Sequence, residues 1–279
     1  MFDASKVPKG VVVSTVVPTP TELAYTVEAD IGTSPDSDTL VFGIFLSLLY
    51  REIRMSLIFG DAFPFIGLLY GKKYSGKSVL IKYLIWTYRE KFSYIVVFSA
   101  TAEANDAYSF LPKEFVHSKF EPEVLKNIIA KQLKAVKNCK TPEERAKAPQ
   151  VLIVFDDCIG MEGLDWRKKN NNELKLLFSS NRHWNISMLI SSQGVKEIPP
   201  LLRMNCDGAF IFRSLNNSLE DLYTCYSTMP RKQFYEFVHN NTNDWKIIMY
   251  NTREQDRSKI FTIFKVPESI IKKQFRLVY

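Results

Sequence analysis

A lysine flanked by a glycine and a serine, at the far end of an uncharged run, is suited to holding a polyphosphate. Residues 71–78 read Gly71-Lys72-Lys73-Tyr74-Ser75-Gly76-Lys77-Ser78, the spacing G-x-x-x-x-G-K-S of a phosphate-binding loop. Glycines at 71 and 76 let the backbone turn tightly and bring its N–H groups to the phosphates. The helix that follows adds the partial positive charge of its N-terminus. In this pattern Lys77 reaches the β- and γ-phosphates of ATP, and the Ser78 hydroxyl is a ligand for Mg²⁺. Lys72, Lys73 and Tyr74 are large where such loops usually carry small residues, so the loop is expected to sit differently on the phosphates.

Two acids supply the complementary chemistry. Val151 to Phe155 are apolar and end in Asp156-Asp157. A carboxylate at such a strand end holds Mg²⁺, the role expected of Asp156. The next residue, Asp157, stands where an acidic base would orient the attacking water and take its proton. A plain strand-end aspartate capping a turn is the alternative. Gln193 closes the apolar run Ile186–Ser192. If that run lies between the segments around 64–70 and 151–155, its amide sits beside the γ-phosphate; otherwise it begins a loop. Arg182, eleven residues earlier, falls at a helix end on the surface. It is too remote for its own phosphates but placed for those of a neighbouring subunit. A solvated helix-end arginine is the competing explanation.

These groups need a frame. Residues 64–70, 94–99, 151–155, 186–193 and 209–213 read as strands, and 79–92, 122–136 and 174–181 as helices. Such alternation predicts an α/β fold with a parallel sheet covered on both faces. In the second helix the spacing puts Val124, Leu125, Ile128, Ile129, Leu133 and Val136 on the core face. Residues 102–120 read as a mixed loop and 140–149 as a charged connection. Residues 217–240 look helical, 245–250 and 260–264 are further strands, and 270–279 form a short basic helix or strand. Residues 1–38, rich in Pro, Thr, Ser and Asp, form an N-terminal arm. Residues 39–279 form the nucleotide-binding domain, with 39–58 as its structured lead-in.

Composition sets the outer bounds. The 279 residues are 46% hydrophobic, enough for one large core, and carry 37 Lys and Arg against 30 Asp and Glu, a net charge of +7. That excess is compatible with a polyanionic partner. Four widely spaced cysteines, with no C-x-x-C pair, argue against a disulfide framework or zinc site. No secretory signal is evident. Leu40–Tyr50, the most apolar stretch, is too short to span a bilayer, so no membrane association is expected.

In combination, the phosphate loop, Asp156-Asp157, Asn181-Arg182-His183, Ser191-Ser192-Gln193 and Ile198-Pro199-Pro200-Leu201-Leu202-Arg203-Met204-Asn205 resemble the FtsK/HerA superfamily. More narrowly, they resemble the genome-packaging ATPases of large double-stranded DNA viruses, of poxvirus type, and their virophage-like relatives. The resemblance covers roughly residues 60–215. It implies a P-loop NTPase of RecA-like fold, dependent on ATP and Mg²⁺, that assembles as a homo-oligomeric ring. It also implies double-stranded DNA and a capsid or portal-vertex protein as partners, and action at the assembly site in the host cytoplasm and in the virion. A cellular or conjugative DNA translocase of the same superfamily is one alternative, and a noncatalytic nucleotide-binding switch another.

The basic run Arg167-Lys168-Lys169, followed by three asparagines and preceded by Trp166, is the candidate DNA grip. Cationic side chains on a loop hold successive phosphates without reading bases. Changing all three to Ala is expected to lower DNA affinity and flatten its salt dependence while basal hydrolysis survives. The slope of log affinity against log salt checks this; an unchanged slope moves the contact elsewhere, first to Lys272, Lys273 and Arg276.

Overall fold

The computed structural model describes residues 63–158, 160–164, 166, 172–256, 259–271 and 274–277. The arm over 1–38, the lead-in over 39–58 with its apolar Leu40–Tyr50, the basic residues 167–169, and Lys272 and Lys273 lie outside the described residues.

The strands are β1 (Ile66–Tyr70), β2 (Tyr94–Ser99), β3 (Val116–His117), β4 (Val151–Asp156), β5 (Ile186–Ser192), β6 (Gly208–Ile211), β7 (Ile247–Asn251) and β8 (Phe261–Phe264). They form one sheet in the order β3-β2-β4-β5-β1-β6-β7-β8. Pairing from β3 through β6 is parallel, and β7 and β8 extend the sheet antiparallel. The α/β frame with a mostly parallel sheet is therefore as expected. The run 186–192 does lie between β1 and β4.

The uncharged strands reflect burial on both faces. With a side-chain period of two, each strand deals its residues alternately to two cores. Ile66, Leu68, Val96, Phe98, Ile153, Phe155, Met188 and Ile190 enter one core. Leu69, Ile95, Val97, Leu152, Val154 and Leu189 enter the other. The second core is capped by α1 (Lys77–Tyr88), whose Leu80, Ile81, Leu84, Ile85 and Tyr88 form one buried stripe at helical spacing. The first is capped by α3 (Pro122–Lys137), α5 (Asn172–Ser180), α6 (Pro200–Met204), α7 (Asn216–Tyr226) and α8 (Arg231–Asn241). Two short helices, α2 (Ala102–Asn105) and α4 (Pro142–Lys147), lie in connections, and α9 (Glu268–Ile271) follows β8.

Several expectations need correction. Residues 102–120 contain α2 and the edge strand β3, too short to show periodicity. The charged connection contains α4, whose N-cap Thr141 accepts a hydrogen bond from the Glu144 N–H at 3.2 Å. The helical stretch 217–240 is two helices, because Pro230 cannot continue the first and opens the second. Among the described residues of the tail, helix is confined to α9. In α3 the buried face is Leu125, Ile128 and Gln132, and Leu133 is exposed. The Gln132 side chain takes the core position because its amide donates to the carbonyls of Pro149 at 2.8 Å and Trp184 at 3.0 Å.

At the N-terminal edge of the sheet, a single carboxylate ties three segments together. Asp207 is 2% exposed. Its Oδ2 accepts the Ile66 N–H at 2.7 Å, which fixes the start of β1. Its Oδ1 pairs with Arg253 at 2.7 Å and with Arg182. Asp207→Ala leaves a backbone N–H and two guanidinium groups without that partner and is expected to cost about 3–5 kcal/mol. Arg182→Ala is expected to cost about 0–1 kcal/mol, because the arginine is largely exposed and Arg253 stays in place. Urea unfolding midpoints of the two variants check the order.

Candidate nucleotide site

Parity delivers the acids to the loop. Asp156 ends β4 with the same facing as Leu152 and Val154, toward α1, and so meets the first turn of that helix. Ser78 Oγ donates to Asp156 Oδ2 at 2.9 Å. Ser191, facing as Leu189 does on β5, donates to Asp156 Oδ1. The same Ser191 oxygen accepts the Asp157 N–H at 2.9 Å. These two hydroxyls and Asp156 bring the ends of α1, β4 and β5 together.

The loop itself is seated by backbone. Gly71 N–H donates to Ser192 O at 3.2 Å, and Lys72 N–H to Arg213 O at 3.2 Å, so the loop is anchored on the ends of β5 and β6. A Cβ on Gly71 would stand 2.5 Å from Phe212 Cβ and 2.7 Å from Ser75 Oγ, a contact no side chain survives. Gly76 has φ 97°, which L-residues avoid. It opens α1 with no side-chain cap and no acid in the first turn. The helix start therefore has no cap or acid of its own; the acid it meets is Asp156, through Ser78.

Lys77 is buried, and its ammonium donates to Gly71 O at 2.6 Å and Lys72 O at 3.1 Å. Burial lowers its pKa, while Asp157, Asp156 and Glu197 pull the other way. Ser75 Oγ is buried with no hydrogen-bond partner among the described residues. An orphaned hydroxyl, an uncapped helix start and a lysine satisfied only by loop carbonyls fit a bound polyphosphate. Ser78 Oγ and Asp156, two oxygens already in contact, fit one face of a hard cation such as Mg²⁺. The large loop residues do not crowd this cradle: Tyr74, at φ 59°, is 90% exposed, and Lys73 is exposed as well. The side chains of Lys73 and Tyr74 are thus on the solvent side, while Lys72 is half-buried with its N–H on Arg213 O and its carbonyl on Lys77.

Gln193 lies one residue beyond β5 and donates through Nε2 to Asp157 Oδ1 at 3.3 Å. The pair expected to flank the γ-phosphate is thus in mutual contact. Arg182 sits on the short 3₁₀ turn Asn181–Trp184 and is 60% exposed. Its partner Asp207 holds the first residue of β1, whereas the phosphate loop leaves the last. The four residue steps from Ile66 to Tyr70 set the two about 13 Å apart. The structure does not bring Arg182 to the loop of its own chain. Arg203, in the last turn of α6, donates to Cys225 Sγ at 3.3 Å. Trp166 packs inward, with ring centroids 5.1 Å from Phe155 and 5.6 Å from Phe178.

Three site residues escaped the sequence. Tyr108, 2% exposed, donates its hydroxyl to Asp156 Oδ2 at 2.6 Å. Burial and the Asp156 charge push its pKa well up, so it stays a donor. Nothing local marks it, because it lies in an irregular segment. Glu197 accepts from Gly194 N–H at 2.7 Å and Gln193 N–H at 3.1 Å, and from Ser192 Oγ. Its signal was legible: an acid three residues after Gly194, where it can cap the turn. Ser191 shared the parity of Leu189, which pointed it at Asp156. Nearby Cys158 is buried, donates to Phe98 O at 3.0 Å and has its pKa pushed well up by burial, so it is inert.

Comparison with known proteins agrees with this geometry. The genome packaging NTPase B204 of Sulfolobus turreted icosahedral virus 2, solved with ATP-gammaS, superposes with a TM-score of 0.51 at 20% identity. The match covers 72% of this chain and 97% of that one. Protein 075L of Invertebrate iridescent virus 6 is 29% identical over 78% of this chain and 82% of its own length. The DNA packaging protein OPG160 of Variola virus is 26% identical over 68% of this chain and 67% of its own length. The family model of the Poxvirus A32 protein matches residues 54–275, so the chain belongs to the Poxvirus A32 protein family.

Proposed function

We propose that this chain is the motor subunit of a viral genome-packaging machine, an ATPase that drives double-stranded DNA into a preformed capsid. One convergence carries this assignment. The phosphate loop, Asp156 on Ser78, and Asp157 on Gln193 meet at one sheet edge, in a family where a Variola virus relative bears the name DNA packaging protein. B204, which shares the fold, was solved with an ATP analogue.

In this proposal the ammonium of Lys77 leaves the loop carbonyls for the β- and γ-phosphates, where its charge matters more. The backbone N–H groups of residues 73–76 and the start of α1 take the remaining phosphate oxygens. Mg²⁺, held by Ser78 and Asp156, would supply charge neutralisation at the phosphates. Ser191 and Tyr108 keep Asp156 aimed at the helix. Asp157 orients a water and takes its proton as the water oxygen bonds to the γ-phosphorus. The bond from that phosphorus to the bridging oxygen breaks, giving ADP and inorganic phosphate. The Gln193 amide, clamped by Glu197 at its backbone and Asp157 at its side chain, is placed to respond when the γ-phosphate departs. The basic run 167–169 grips the DNA backbone, and a capsid or portal-vertex protein anchors the ring at the host-cell assembly site and in the virion.

Arg182 is assigned to the phosphates of the neighbouring subunit. It is exposed, it lies on a different edge from its own loop, and Arg253 keeps Asp207 neutralised when it moves away.

Hydrolysis by the purified protein, measured with and without double-stranded DNA, is expected to rise with DNA. Lys77→Ala should abolish it. Asp157→Asn should still bind ATP while turnover falls by about 10²-fold or more. Full turnover in that variant rejects a catalytic base at 157 and favours the nucleotide-binding switch. For the trans arginine, Arg182→Ala subunits keep intact loops and Lys77→Ala subunits keep intact arginines. Mixing two nearly inactive preparations should therefore restore part of the activity. Mixed rings that form and remain inactive would remove Arg182 from that role.

A further inference from the structure

Beside the phosphate loop lies a cleft of about 490 Å³ that the hydrolytic machinery leaves unused. It shares Ser75, Gly76 and Val79 with the loop and the first turn of α1, so it adjoins the phosphate cradle. Phe212, just after β6, and Ile247 of β7 line it, and Val266 comes from the segment after β8.

Trp245 is the unusual member. It is 69% exposed, and among the described Phe, Tyr and Trp residues only Tyr74 is also exposed. Its φ is 61°, and so is that of Asp244 before it. Two consecutive non-glycine residues in the left-handed region are uncommon, and such strain persists only where the surroundings hold it. This conformation places the indole beside the loop: a Cβ built on Gly76 would lie 3.6 Å from Trp245 Cε3. At the rim, Lys265 Nζ and Asp244 Oδ2 pair at 3.3 Å.

We infer that this cleft receives the purine base of the nucleotide whose phosphates the loop holds, with Trp245 as the stacking residue that gives the site its preference for a purine nucleotide over bare polyphosphate. The inference rests on the assignment of residues 71–78 as the phosphate cradle. Its volume is that of a small-molecule site, its walls are apolar, and a flat π-face stands at its mouth. The Asp244–Lys265 pair at the rim offers one acceptor and one donor to the base edge. Trp245 acts on binding and alignment, and takes no part in the bond-breaking step.

The experiment compares two probes, a nonhydrolysable ATP analogue and inorganic tripolyphosphate, both with Mg²⁺. The full chain is used as wild type, Trp245→Phe and Trp245→Asn. Asparagine tolerates the left-handed backbone, so folding should be retained, which a thermal unfolding curve verifies. Trp245→Asn should weaken the ATP analogue by about tenfold or more, the scale of base–aromatic stacking, and leave tripolyphosphate unchanged. Trp245→Phe should keep most of the affinity. Indole fluorescence should respond to the ATP analogue in wild type, and that response should vanish in Trp245→Asn. Equal loss for both probes, or no loss for either, overturns the base cleft while leaving the phosphate loop in place. A wild-type chain that binds neither probe overturns the loop assignment and this inference with it.

Discussion

The candidate site hangs on one buried carboxylate. Asp156 is 4% exposed at the end of a strand with no other charge, and a bare carboxylate there would cost several kcal/mol. Hydroxyl groups from three different segments offset that cost: Ser78 from α1, Ser191 from β5 and Tyr108 from the irregular stretch after α2. Each belongs to a segment with its own place in the second core. Packing and site therefore share one network. The helix cannot slide along the sheet without breaking the contact that prepares the proposed cation site.

β5 then divides the work between the two faces of the sheet. Ser191 faces α1 and serves Asp156. Ser192 faces the opposite layer and donates to Glu197, whose carboxylate also holds the backbone of Gln193 and Gly194. Gln193 stands at the turn between them with its amide on Asp157. A displacement of that amide is thus linked through Glu197 to the layer formed by α6 and α7, on the face away from the phosphate loop. This arrangement follows from strand parity, since neighbouring residues must face opposite ways.

What could be read from the sequence was whatever is local or periodic. The loop Gly71–Ser78, the apolar strands and the helix after the loop are contiguous signals, and they placed Asp156, Asp157 and Gln193 at one edge once the strand order was assumed. Contacts between distant segments were not legible. Tyr108 meets Asp156 across 48 residues, and Asp207 meets Ile66 across 141. Neither tyrosine nor aspartate there carries a pattern of its own. The exposed Leu133 shows the same limit in reverse: helical spacing alone could not say that loop carbonyls would require Gln132 inside. Trp245 was counted as part of a strand because aromatic residues favour strands, yet its left-handed backbone takes it out of β7.

The two edges of the sheet carry opposite electrostatic arrangements, and the difference bears on how subunits would cooperate. At the C-terminal edge several acids, Asp156, Asp157 and Glu197, attract one buried lysine. That excess of acid suits a site whose ligand brings its own cation. At the N-terminal edge one acid, Asp207, is shared by two arginines, an excess of base. An arginine can leave such a cluster at little cost, because the remaining one still neutralises the carboxylate and the Ile66 N–H still holds it. Were Arg253 absent, withdrawing Arg182 would strand a buried charge, and the start of β1 would lose its anchor. In the proposed ring, the second arginine is what would allow Arg182 to be both a clamp in the isolated chain and a charge available to a neighbour.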